Sequence, residues 1–242
     1  MTLEAYLKYL EQYLADYARP FNGYILGMSG GLDSALVAKI AKNAVKEKLY
    51  CVIIDIHNNE DDINDAKKFL VEEEIAYSYI DLSTFYDDLI LKIEKETNKQ
   101  ITKISRENVA VRLRMVTLYA LGQSMNKLVL GTTNKSEYYT GYYTKWGDGG
   151  VDVHVLIHLL KTEVYKASRI YNIPEVFINK KPSAGLTKNQ TDEDDLGLTY
   201  EELDNFLLGE KVSERVSERA KELHAKTNHK RREIVKPKPF RE

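Results

Sequence analysis

The chain has 242 residues, with 35 lysines and arginines against 37 aspartates and glutamates and a net charge of −2. That length suffices for one substantial core, and the balanced charge supplies no global basic field to favour nucleic acid. A lone cysteine, Cys51, excludes an intramolecular disulfide and a cysteine-rich metal site and fits a reducing compartment. No apolar run approaches the length of a membrane span, and Glu4 and Glu11 interrupt the apolar N-terminus, so it does not read as a signal peptide. The expectation is a cytoplasmic protein with neither nucleic acid nor membrane as partner.

Leu3, Tyr6, Leu7, Leu10, Tyr13, Leu14 and Tyr17 recur at helical spacing, which predicts an amphipathic helix over 2–18, ended by Pro20 and Gly23. The apolar strand starting at Tyr24 then runs through Gly27-Met28-Ser29-Gly30-Gly31-Leu32-Asp33-Ser34 into a helix over 35–46. A strand, a glycine turn and a helix in direct succession present consecutive backbone N–H groups as an anion cradle, with the helix's positive end aimed at the same point. Gly30 and Gly31 permit the tight backbone, and Ser29 and Ser34 add hydroxyl donors. Asp33 would repel bound phosphates unless a cation stood between, so the economical reading is a pyrophosphate site with Mg²⁺ held partly by Asp33. Neither the Walker loop nor the G-x-G-x-x-G fingerprint fits the spacing. The structural alternative is an ordinary turn capped by Ser and Asp.

Leu49 to Ile54 is almost wholly apolar, as buried parallel strands tend to be. The carboxylate-rich stretch 58–65 leads into a helix through Ala66, Phe69 and Leu70. A strand over 75–80, a helix over 84–96, a long helix over about 105–124 and a strand over 127–130 follow. This rhythm predicts an α/β fold, a doubly wound, Rossmann-like parallel sheet of about five strands with helices on both faces. Ligands of such sheets lie at the carboxyl ends of the strands, where both the Ser29 loop and Gly131-Thr132 fall.

Residues 140–150 are glycine-rich, aromatic and irregular, and long loops of this kind are usually functional. A helix is expected over 161–171, a mobile lid over 179–197, and helices over about 199–208 and 211–226. The last places Val212, Val216 and Leu223 on one face beneath Glu–Arg pairs. A basic cluster, Asn228-His229-Lys230-Arg231-Arg232, precedes the tail. His154 and His158 lack the remaining elements of a zinc-protease motif and read, with Cys51, as structural.

Taken in order, Ser29 to Ser34, Asn108 to Met115, Gly131-Thr132 followed by Glu137, Thr140-Gly-Tyr-Tyr-Thr-Lys145-Trp-Gly-Asp148-Gly-Gly, Lys161, Asp192-Glu193 before Leu196-Gly197, and His229-Lys230-Arg231 resemble the NAD synthetase family of adenylate-forming ATP pyrophosphatases. The first motif is shared with GMP synthetase and some tRNA-modifying enzymes, while the glycine–aromatic run is much more specific. The resemblance covers nearly the whole chain. It implies the adenine nucleotide alpha hydrolase-like fold, one synthetase domain over 1–242 and no glutaminase domain, hence the ammonia-dependent form. It also implies a tight homodimer.

The implied reaction is C–N bond formation in two steps: the carboxylate of nicotinate adenine dinucleotide (deamido-NAD) attacks ATP to give an acyl adenylate and pyrophosphate, and ammonia then yields NAD and AMP. By the same resemblance, Ser29, Gly30, Gly31, Asp33, Ser34, Thr132, Lys161 and Ser183 bind ATP, with Mg²⁺ on Asp33 and Glu137. Asn108, Arg112, Tyr142, Lys145, Asp148, His229 and Lys230 bind the dinucleotide, Tyr142 stacking on its pyridine and Asp148 helping to place ammonia. Asp33, Asp148, Lys161 and Ser183 are the implied catalytic residues.

Read without the family, Arg112 and Arg114 equally suit the solvated face of a helix, Glu137 a surface acid, Lys161 a helix-start ion pair, and the tail cluster solubilising charge. Two departures from the pattern stand out. The lid motif reads Pro182-Ser183-Ala184-Gly185-Leu186, with serine for threonine and no acid, and the segment 56–62 lacks the arginine and glutamine that commonly contact ATP. The alternative functions are another adenylating pyrophosphatase of the GMP synthetase or tRNA-modifying type, and a non-catalytic nucleotide-binding module.

Overall fold

In the computed structural model, which describes residues 1–180 and 191–240, the strand–helix rhythm becomes a five-stranded parallel sheet. The elements run α1 (Leu3–Tyr17), β1 (Tyr24–Gly27), α2 (Leu32–Val45), β2 (Leu49–Asp55), α3 (Glu60–Glu72), β3 (Ala76–Asp81), α4 (Ser83–Thr97), α5 (Lys103–Met125), β4 (Leu128–Gly131) and α6 (Lys135–Thr140). They continue with β5 (Val153–His154), α7 (Lys161–Ile170), α8 (Glu175–Ile178), α9 (Asp192–Leu196), α10 (Tyr200–Leu207), α11 (Glu214–Lys226) and α12 (Asn228–Arg231). The strand order is β3-β2-β1-β4-β5, with Tyr24 in register with Leu49 on one side and Leu128 on the other. Strand order therefore reverses between β1 and β4, and their carboxyl ends flank the crevice where such sheets bind ligands.

The two-residue period of the strands divides the core. Tyr24, Leu26, Cys51, Ile53 and Leu130 face one layer, packed with Leu7, Leu10 and Leu14 of α1, most of α2, Phe69 of α3 and Val164 of α7. Ile25, Val52, Ile54 and Val129 face the other, against Ala110, Met115 and Leu118 of α5. Each such fully buried aliphatic side chain stabilises the fold by about 1.5–3 kcal/mol. Tyr24 is fully buried, and its hydroxyl is satisfied by donating to the Leu14 carbonyl at 2.8 Å.

A third, smaller core joins α9, α10 and α11 through Leu196, Leu198, Tyr200, Leu203, Val216 and Ala220, with Val212 and Leu223 packed at its margin. The face expected on the 211–226 helix is thus the buried one. The fifth strand is two residues long, too short to show a period, and it contains His154. The expected lid is divided: α9 makes 192–196 helical, while 181–190, Ser183 included, lies outside the described residues. Among the described residues no helix is long and apolar enough to cross a membrane.

Candidate active site

Between β1 and α2 the chain turns through Gly30 at φ +81°, where a side chain would run into the Asp62 backbone, so only glycine fits. Gly31 is the N-cap of α2 and brings no capping side chain. The positive end of α2 is left for an anion. The serines shape the turn: Ser34 Oγ donates to the Gly31 carbonyl at 2.8 Å, Ser29 Oγ accepts from the Gly31 N–H at 3.2 Å, and the hydroxyl oxygens lie 3.1 Å apart. Ser34 is buried and Ser29 exposed.

Asp33, one residue into α2, meets groups from the other side of the crevice. Its Oδ1 accepts from Asn134 Nδ2 at 3.0 Å, and its Oδ2 is ion-paired to Lys161 Nζ. Glu137 Oε1 lies 3.8 Å from the same ammonium. Asn134 and Glu137 form the reciprocal capping box of α6, the Glu137 N–H donating to Asn134 Oδ1 at 3.0 Å and the Asn134 N–H to Glu137 Oε2 at 3.1 Å. Burial and the nearby Asp33 push the Glu137 carboxyl up to about 8. Burial alone would lower the Lys161 pKa, but the two carboxylates override it and hold the group above the ordinary lysine value. Thr132, half-buried, follows β4 at the same edge.

Lys161 opens α7 with a side chain only 4% exposed, and its backbone is fixed from below. Its N–H donates to Ser136 Oγ at 3.0 Å, Ser136 donates in turn to Asp204, and Asp204 Oδ2 accepts the Thr162 N–H at 2.8 Å. Beside it, the Tyr200 hydroxyl donates to Asp192 Oδ2 at 3.1 Å, while Asp192 Oδ1 is buried with no hydrogen-bond partner among the described residues.

These residues fit Mg²⁺. Two carboxylates already share one cation, and among the described residues no group of three or more His, Cys, Asp or Glu gathers to hold a metal by itself. A pair of hard oxygen ligands completed by substrate phosphates and water is how Mg²⁺ is usually held.

A second group lies along the 140–150 loop. Asp148 Oδ1 accepts the Thr144 N–H at 2.7 Å, and Thr144 Oγ1 donates to Asn108 Oδ1 at 2.6 Å. Burial raises the Asp148 carboxyl above its usual range. Arg112 donates through Nε and Nη2 to the Lys145 carbonyl at 3.3 and 3.1 Å, and Lys145 Nζ donates to the His229 carbonyl at 2.8 Å. Lys230 Nζ donates to the carbonyls of Gly141, at 2.6 Å, and Tyr143. Here the His229 contact is through its backbone. Tyr142 packs against the third core and donates its hydroxyl to Asp195 Oδ2 at 2.9 Å.

The expected residues thus form two groups, Ser29–Ser34 with Glu137 and Lys161, and Asn108, Arg112, Lys145, Asp148 and Lys230 with the His229 backbone. Sequence reasoning passed over Asn134, Tyr200 and Asp204, and gave Asp192 a place in a motif but no role. Asn134 was within reach, because Asn-x-x-Glu is a capping-box signature. Asp204, on a helix 42 residues from its partner Thr162, gave no local signal.

The NAD synthase family model matches residues 2–236. The ammonia-dependent NAD⁺ synthetase of Mesoplasma florum is 39% identical, covering 100% of this chain and 99% of that protein. Among solved structures, the NMN synthetase of Francisella tularensis superposes with a TM-score of 0.92 at 33% identity, covering 98% and 99% of the two chains. The ammonia-dependent NAD synthetase of Campylobacter jejuni gives 0.79 at 28% identity, covering 98% and 100%. The chain belongs to the NAD synthase family and its ammonia-dependent branch, which uses ATP and Mg²⁺ to amidate deamido-NAD to NAD.

Proposed function

We propose that the two groups of residues divide this reaction between them, one end of the crevice holding ATP and the other the nicotinate dinucleotide. The carrying observation is the convergence of Asp33 and Glu137 on Lys161 beside the Ser29–Ser34 turn. The turn's N–H groups and the Ser29 and Ser34 hydroxyls hold the triphosphate, with Thr132 and Ser183 adding hydroxyls. Asp33 and Glu137 hold Mg²⁺, which when bound offsets the charge of the phosphates around the reacting phosphorus. A carboxylate oxygen of deamido-NAD attacks the α-phosphorus, and the bond to pyrophosphate breaks. Lys161, withdrawn from water, supplies positive charge to the departing pyrophosphate.

At the other end Asn108, Arg112, Lys145, His229 and Lys230 shape the dinucleotide site, and the Tyr142 ring lies against the pyridine. Asp148 places ammonia, whose nitrogen attacks the acyl carbon; the bond to AMP breaks and a proton is lost. The 1–242 chain acts as a single synthetase domain in the cytoplasm, consistent with its one buried, free cysteine. It works as a homodimer. Support comes from a ladder of exposed rings on α1, where Tyr9, Tyr13 and Tyr17 follow one another at 6.1 and 5.9 Å beside a groove of about 480 Å³. Sedimentation over a dilution series tests the dimer.

The deciding assay supplies ATP, Mg²⁺, ammonium and deamido-NAD. NAD and pyrophosphate are expected in equal amounts; release of phosphate alone, or no turnover, overturns the assignment. The likeness to the Francisella NMN synthetase favours a second reading, amidation of nicotinate mononucleotide. Both substrates share the nicotinate, ribose and first phosphate, so the same assay with each in parallel ranks them by kcat/KM.

A further inference from the structure

Behind the pyrophosphate turn stands a cation with no role so far. Lys180 follows α8 by two residues, and its Nζ lies 2.6 Å from Asp62 Oδ1, 2.7 Å from Asp65 Oδ2 and 3.3 Å from the Gly30 carbonyl. The Phe177 ring closes a fourth side at 5.5 Å. The three side chains of this ion pair are only 24–27% exposed. Asp62 and Asp65 are one helical turn apart on α3, so both carboxylates point to the same place. Asp62 also presses its backbone on Gly30 from the side a Cβ would occupy.

The start of α3 is therefore the back wall of the anion turn, and it brings the carboxylates of Asp62 and Asp65 to it. Unscreened, these partly buried carboxylates would act against a bound triphosphate. Lys180 lies against both, and its third contact is the carbonyl of Gly30, in the middle of the anion turn.

We infer that Lys180 is a positioning residue for ATP: it fixes the Gly30 peptide against α3 and neutralises the acids behind the pyrophosphate turn. This rests on the assignment of that turn to the ATP phosphates, and on neither the acyl substrate nor the amidation step. The proper readout is therefore nucleotide binding, by calorimetric titration of the full chain with Mg-ATP and, separately, with deamido-NAD.

Lys180→Met is expected to weaken Mg-ATP binding about tenfold at low ionic strength and to leave deamido-NAD binding unchanged. Lys180→Arg keeps the charge and binds Mg-ATP within about threefold of the parent. The decisive variant is Lys180→Met/Asp62→Asn/Asp65→Asn, which removes the cation with the acids it covers; it recovers most of the lost affinity. A merely structural lysine would give no such recovery, because the triple variant has fewer bonds than the single one. Unchanged Mg-ATP affinity in Lys180→Met overturns the inference, and so does a triple variant as weak as the single. A parent chain that binds no Mg-ATP overturns instead the assignment of the turn to ATP.

Discussion

Around Asp33 the lysine's contacts run from side chain to side chain, whereas around the 140–150 loop the cations reach from side chain to backbone. Asp33 pairs with Lys161, accepts from Asn134 and stands with Glu137 in a knot whose members come from α2, α6 with its N-cap, and α7. Arg112, Lys145 and Lys230 instead donate to the carbonyls of Lys145, His229, Gly141 and Tyr143, strapping α12 and the loop together. The difference separates two uses of charge. At the end proposed for the phosphates Lys161 sits between two acids that also suit Mg²⁺, and these would be the ligands the metal meets. At the end proposed for the nicotinate the cations hold the loop and α12 in shape.

Asp33→Asn strikes the first arrangement hardest. As loss of a ligand to the Mg²⁺ that would offset the phosphate charge, it is expected to lower turnover by about 10²–10³-fold. The same change takes from the buried Lys161 ammonium its nearest carboxylate and leaves Glu137 at 3.8 Å, and breaking a buried pair costs about 3–5 kcal/mol. Steady-state kinetics and urea unfolding on one preparation check both; full activity would remove Asp33 from the metal site. Lys230→Met tests the other arrangement. Two loop carbonyls lose a charged donor at about 1–3 kcal/mol, and KM for deamido-NAD is expected to rise about tenfold while KM for ATP stays put. Equal rises in both would mean that the two ends do not act separately.

Titration gives a smaller but more specific contrast. The Glu137 carboxyl, held up to about 8 by burial and by Asp33, keeps its proton where the unfolded chain has lost it. Its contribution to stability is therefore full below the usual glutamate value of about 4.3 and is lost as pH rises to about 8. Metal-free protein should show a falling urea midpoint across that window, and Glu137→Gln should flatten the slope. An identical slope in the variant would place the titrating group elsewhere.

The sheet was legible because β1, β2 and β4 are apolar runs followed by glycine or acid punctuation, and because α1 and α11 carry helical stripes. The anion turn was legible for a related reason: its chemistry is local, packed into six consecutive residues. β5 was not, since two residues contain no period, and α6 was hidden in a polar run that its capping box alone organises. The buried support for Lys161 was beyond reach for a physical reason. Asp204 is an ordinary polar position on α10 until α10 packs on α7, and only then does its carboxylate cap the first turn of that helix. Spacing along a chain reports faces of elements, whereas this support depends on which faces meet.

Tyr142 is where the two ends touch, and it carries the smallest predicted effect. Its ring packs at the edge of the third core, and its hydroxyl donates to Asp195 on α9 while Asp192, on the same short helix, faces the Lys161 knot. Burial and these acids raise the hydroxyl's pKa well beyond its usual value, so it remains a donor at any working pH. Tyr142→Phe keeps the ring and removes one hydrogen bond to an exposed partner, at a cost of about 0.5–1.5 kcal/mol. If the ring stacks on the pyridine, KM for deamido-NAD should rise less than about fivefold and kcat should hold, whereas Tyr142→Ala should raise that KM far more. A Phe variant as impaired as the Ala variant would mean that the hydroxyl's tie to α9 does the work, and that Tyr142 couples the ends instead of contacting the substrate.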